Sequence, residues 1–155
     1  GERTPHLDAD CRGSFVGLTA RHTRKEMARA VMEGVTCALN DCMNVLRGMG
    51  VSPAQMVACG GGAKSPLWRQ MLADMYGCPV CTAAKENSAA LGAAILAAVG
   101  TGLYPSVPEA CDAILSYGEP LAPDAARTEA YGRVYRVYTM LYPALKDVFR
   151  ELKTI

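Results

Sequence analysis

The sequence predicts a helix-rich α/β fold with a short remnant of parallel sheet, and three observations carry that prediction. A long stretch from about residue 24 to 48 repeats apolar side chains at helical spacing. The centre reads as strand, glycine turn, helix and strand, an order that suggests a right-handed parallel unit. The remainder, from Ala89 onward, reads as helices separated by glycine and proline.

The elements follow in order. Residues 1 to 22 form an ordered loop with turn residues at Gly1, Pro5, Gly13 and Gly17. Thr23 and Glu26 have capping-box spacing, in which a hydroxyl accepts from first-turn amides and a carboxylate reaches back. Met27, Val31, Val35, Ala38, Cys42, Val45 and Met49 then recur every three or four residues, which predicts one buried stripe. Gly48 and Gly50 stop this helix. Gln55 to Cys59 is a short strand that enters Gly60-Gly61-Gly62. Ser65 caps the next helix with Pro66 at its first position, and Gly77 ends it after Tyr76.

Pro79 to Ala83 is a second strand. Asn87 or Ser88 caps a small-residue helix, Ala89 to Val99, which stops at Gly100 and Gly102. A brief helix covers Val107 to Leu115, and Pro120 to Pro123 is a turn or linker. Asp124 caps a last helix that runs to about Lys153, with Pro143 expected to kink it or break it in two. This divides the chain (1–155) into an ordered loop, 1–22, a core, 23–102, and a helical tail, 107–153. Two strands make a poor sheet, so further strands are expected to precede Gly1 in a longer parent protein.

Composition narrows the function classes. Half the 155 residues are hydrophobic and a fifth are charged, which is globular composition sufficient for one domain. Formal net charge is +1, with no basic stripe for nucleic acid or an acidic membrane surface. Ala83 to Val99 is the most apolar run, and Lys85, Glu86 and Asn87 interrupt it. Seven dispersed cysteines suit reduced thiols in a cytoplasmic protein better than a disulfide scaffold. Cys78 and Cys81 have C-x-x-C spacing without a second pair, and structural thiols are expected there.

The segment Val57 to Pro66 carries the functional signal. Three glycines remove every side chain, so a ligand can lie against the backbone, and the helix start points its positive end at the turn. The spacing is neither G-x-x-x-x-G-K-S nor G-x-G-x-x-G. On these residues alone, a nucleotide-facing turn and a tight turn without a ligand both stay open.

Several segments together resemble the FGGY carbohydrate kinases. They are Gly1 to His6, Cys11 to Thr19, Ala28 to Val35, Gly60 to Ser65 with Trp68 to Asp74, and Ala90 to Ala94. The Gly1 to His6 opening and the Trp68 to Asp74 helix look most like the branch that phosphorylates xylulose. The resemblance implies a partial ribonuclease H-like, actin-like ATPase domain. It also implies ATP-dependent conversion of D-xylulose to D-xylulose 5-phosphate with Mg2+, or of another pentose, polyol or hexose.

On this resemblance Gly60, Gly61, Gly62, Ala63, Ser65 and Gly92 face the adenosine of ATP or ADP. The family's catalytic aspartate, sugar pocket and phosphate loops lie upstream of the Gly1 to His6 segment. The isolated chain is therefore expected to be inactive, with no catalytic residue and no metal ligand of its own. A non-catalytic nucleotide-binding module, or a homodimer through exposed helices, is the alternative. Several further roles are expected: Ser65 either caps its helix or meets the adenine edge; Gly92 and Ala93 either permit close helix packing or line the pocket; Lys64 lies in solvent; Asp74 is a surface carboxylate or sits behind the ligand; Glu33 pairs while half-buried; Arg12 and His6 make structural contacts; and Tyr131, Tyr135, Tyr138 and Tyr142 pack.

Overall fold

The computed structural model describes residues 1–83 and 89–155. Five helices and two strands follow the predicted order: α1 Arg24–Gly48, β1 Met56–Ala58, a 3-10 turn Gly61–Lys64, α2 Pro66–Tyr76, β2 Val80–Thr82, α3 Ala89–Gly100, α4 Val107–Ile114 and α5 Ala125–Leu152. The predicted cap of α3 at Asn87 or Ser88 lies outside the described residues. Among the described residues, no helix is long and apolar enough to cross a membrane.

Local chemistry sets most of the boundaries. Thr23 and Glu26 form the capping box at α1, where the Thr23 amide donates to the Glu26 carboxylate at 2.8 Å. Ser65 Oγ accepts the Trp68 amide at 3.3 Å, and Gly77 ends α2 in the left-handed region at φ 65°. Asp124 Oδ1 accepts the Arg127 amide at 2.9 Å and starts α5.

β1 and β2 are parallel, with Met56 opposite Val80 and Ala58 opposite Thr82. The other side of β2 carries antiparallel bridges to Leu121 and, just beyond it, from Ala83 to Tyr117. Among the described residues, β1 pairs only with β2. The core lies where α1, α2, β2 and α5 meet, around Cys37, Met43, Met71, Tyr76, Val80 and Tyr131.

Three expectations need correction. The buried face of α1 is Thr36, Cys37, Asn40 and Met43, whereas Val31 is 54% exposed and Val35, Val45 and Met49 also face outward. Its neighbours explain the difference, because they bring polar groups that need partners. Trp68 Nε1 donates to Thr36 Oγ1 at 2.9 Å, and Asn44 Nδ2 donates to the Tyr135 hydroxyl at 2.9 Å. The Tyr135 hydroxyl in turn donates to Asp41, and the Tyr131 hydroxyl to Glu33 Oε1 at 3.2 Å. Glu33 also pairs with Arg29 at 2.8 Å, as its half-buried position suggested.

Pro143 does not divide the last helix, which is assigned as one element of 28 residues. Thr139, whose carbonyl loses its helical donor there, is exposed, so water can replace the missing bond.

Asp74 is not a surface carboxylate; it is 1% exposed. Its Oδ1 accepts Gln70 Nε2 at 2.9 Å and the Asp124 amide at 2.8 Å, and its Oδ2 accepts Arg127 Nε at 2.6 Å. One buried carboxylate thus ties α2 to the start of α5.

The tyrosines of α5 pack as expected, and one of them anchors the opening loop. The His6 ring stacks on Tyr142 at 3.8 Å with planes 9° apart, and the Tyr142 hydroxyl donates to Asp8 Oδ2 at 2.8 Å. Arg12 donates to the carbonyls of Ala9 and Cys11 at 3.1 and 3.2 Å.

Candidate functional site

Parallel strands send their carboxyl ends to the same edge of a sheet, and ligands of open α/β sheets gather at that edge. Here the edge holds the glycine turn after β1 and Ala83, which follows β2.

The three glycines have three different reasons to be glycine. Gly60 has φ 81°, a left-handed value that a side chain disfavours. A Cβ built on Gly62 would stand 1.9 Å from Cζ3 and 2.4 Å from Cε3 of Trp68, so the indole occupies that space. Among the described residues, nothing lies within 4 Å of a Cβ built on Gly61 or on Gly60, and both are exposed. Gly60 and Gly61 form the open face of the turn.

The helix start offers less to an anion than its sequence suggests. Pro66 has no amide hydrogen, the Trp68 amide donates to Ser65 Oγ, and the Arg69 amide donates to the Ser65 carbonyl at 3.0 Å. The Ser65 amide itself donates to the Gly62 carbonyl at 3.0 Å. These bonds commit the Ser65, Trp68 and Arg69 amides within the turn and cap. Ser65 is the helix cap, and Lys64 is exposed.

Ala63 and Gly62 line the other side of the turn. With Leu39, Met56, Trp68 and Val80 they border an apolar hollow of about 290 Å³. Gly92 stands apart in α3, exposed, and among the described residues nothing lies within 4 Å of a Cβ placed there. The helix around it is apolar on every side, yet only Ile95 is buried. An all-apolar helix left this open presents a face to something outside the described contacts.

Among the described residues, no group of three or more His, Cys, Asp or Glu side chains converges. Both oxygens of Asp74 are engaged by protein donors. Cys78 and Cys81 are buried, and Cys81 Sγ accepts Gln55 Nε2 at 2.7 Å, as structural thiols would.

Sequence reasoning missed Trp68 and Thr36. One signal was present: helical side chains lean toward the amino terminus, so an aromatic group in the first turn of α2 reaches back over the preceding turn. Thr36 carried no such signal, because its partner lies 32 residues away.

Comparison with known proteins places these features in context. The sequence model described as "FGGY family of carbohydrate kinases, C-terminal domain" matches residues 1–101. A xylulose kinase of Staphylococcus epidermidis is 37% identical over 155 residues, which cover all of this chain and 31% of that protein. An erythritol kinase of Brucella abortus is 38% identical over 157 aligned residues, covering 98% of this chain and 29% of its own length. The crystal structure of ligand-bound xylulose kinase from Lactobacillus acidophilus superposes with a TM-score of 0.92 at 33% identity, over 98% of this chain and 31% of that one. The chain therefore spans about a third of the length of the relatives it matches.

Proposed function

Because the chain belongs to the FGGY family of carbohydrate kinases, whose members have an actin-like ATPase fold, we propose that it forms the adenosine side of the cleft of an ATP-dependent sugar kinase. One observation carries the assignment. The turn Gly60–Gly62, inside the family match, ends a parallel strand and leaves Gly61 facing open space. A bare peptide surface of this kind lets the plane of a purine or its ribose approach the backbone.

The chemistry of the turn refines the assignment. The Ala63, Ser65 and Trp68 amides bond within the turn and its cap, and on this reading the turn holds the nucleoside and leaves the triphosphate to other groups. Positioning and charge neutralisation supply most of the catalysis in phosphoryl transfer. This chain contributes to the positioning. The transfer step belongs to parts of the longer kinase, where the family's catalytic aspartate, sugar pocket and Mg2+-bound phosphates are expected.

The sugar we propose is D-xylulose, on the strength of relatives named as xylulose kinases. An erythritol kinase is 38% identical, as expected if the shared third of these proteins holds nucleotide and not sugar.

Titration calorimetry of the purified 155-residue chain tests the assignment. ATP and ADP are expected to bind, the Gly61→Val chain to bind neither, and neither chain to release ADP on adding xylulose. Unchanged affinity in Gly61→Val, or xylulose-dependent turnover by the chain alone, would overturn it.

A further inference from the structure

We propose that Trp68 is the positioning residue of the glycine turn: it is the reason position 62 is glycine, and it ties the turn to α1 through Thr36. The consequence for ligand binding rests on the adenosine reading above; the mechanical claim does not.

Trp68 is held at three points. Its backbone amide donates to Ser65 Oγ at 3.3 Å, inside the same turn-and-cap unit. Its ring fills the space beside Gly62, where an added Cβ would meet Cζ3, Cε3 and Cη2 at 1.9, 2.4 and 3.0 Å. Its Nε1–H donates to Thr36 Oγ1 at 2.9 Å.

Thr36 is suited to that last contact. Its hydroxyl hydrogen goes to the Met32 carbonyl at 2.8 Å, which leaves its lone pairs for the indole. The side chain is fully buried, so water cannot take over as acceptor. α1 therefore fixes Thr36, Thr36 fixes the indole, and the indole fixes how far the turn can sink toward the apolar hollow beneath it.

Among the described residues, nothing lies within 4 Å of a Cβ built on Gly60 or Gly61, so both remain open to a ligand and Gly62 does not. Gly60 supplies backbone conformation, and Gly62 supplies clearance for the indole.

A double-mutant cycle on the full chain decides the matter, using Gly62→Ala, Trp68→Leu and the pair together. The readouts are hydrogen exchange of the amides from Cys59 to Lys64 and ADP affinity by calorimetry, with exchange in α5 as the internal control. Gly62→Ala alone is expected to speed exchange in the turn at least tenfold and to weaken ADP by a similar factor. In the Trp68→Leu background the same change is expected to cost less than twofold. Trp68→Phe keeps the ring volume without the N–H donor, and should fall between wild type and Trp68→Leu in turn exchange while α5 is unchanged.

An equal cost of Gly62→Ala in both backgrounds would mean that Gly62 meets the ligand directly, and would overturn the proposal. So would turn exchange unaltered by Trp68→Phe and Trp68→Leu. If wild type binds no adenine nucleotide, the adenosine reading falls, and the exchange half of the cycle still decides the role of Trp68.

Discussion

Replacing Asp74 tests whether this buried carboxylate is a structural tie or a ligand-facing group. Asp74→Ala removes the acceptor of two donors at Oδ1, from Gln70 and the Asp124 amide, and the partner of Arg127 at Oδ2. Arg127 is 53% exposed and returns to water, so no loss is assigned to it. Gln70 is only half-buried and can also turn to solvent. The Asp124 amide cannot, because it is fixed at the start of α5. Hydrogen bonds to a charged acceptor contribute about 1.5–3 kcal/mol each. With Gln70 partly compensated, the expected loss is about 2–4 kcal/mol.

Urea unfolding followed by the fluorescence of the single tryptophan measures this loss directly. With a slope of about 2 kcal/mol/M, the middle of the range for a small protein, the midpoint should fall by roughly 1–2 M. Asp74→Asn keeps one acceptor and the shape, and should lose about half as much. A midpoint within roughly 0.2 M of wild type in Asp74→Ala, together with altered Mg2+ dependence of nucleotide binding, would refute the reasoning and make Asp74 a metal ligand.

Two further outcomes are expected. Ser65→Ala removes the cap of α2 and should cost about 1 kcal/mol, read from the same unfolding curves, with the turn amides of residues 60–64 exchanging faster. Stability should also decline steeply in alkali. Burial pushes Tyr76 and Tyr138 up from 10.0 to about 12, and burial with the neighbouring Asp41 does the same for Tyr135. Burial likewise takes the Cys37 thiol from 9.0 to about 12. Each group is held protonated in the fold, so its contribution is intact below the unfolded value and is lost as pH rises through the folded one. The window is therefore pH 9 to 12. A flat profile there in unfolding midpoint would show that these groups ionise freely in the native state.

The boundaries of the elements were legible because the groups that make them are close in sequence. Thr23 and Glu26, Ser65 and Pro66, Gly77, and Asp124 each satisfy or end a helix within a few residues. The glycine turn was legible for the same reason, as was the resemblance that points it toward adenosine. The buried side of α1 was not. Periodicity finds an apolar stripe but not its partner, and here the partners include an indole and a tyrosine hydroxyl that select Thr36 and Asp41. Asp74 gave one weak sign, an acid within the apolar run Met71 to Tyr76, four residues from Gln70.

The sequence by itself determined where strand, turn and helix meet, and that three residues there would carry no side chain. Only the tertiary structure decided what each glycine is for. Gly60 needs a left-handed backbone, Gly62 yields to an indole tied to a helix 32 residues upstream, and Gly61 faces open space. The reason is physical: a missing side chain records that freedom was required, whereas its cause, a backbone angle at Gly60 or an indole braced by α1 at Gly62, is known only once the chain has folded.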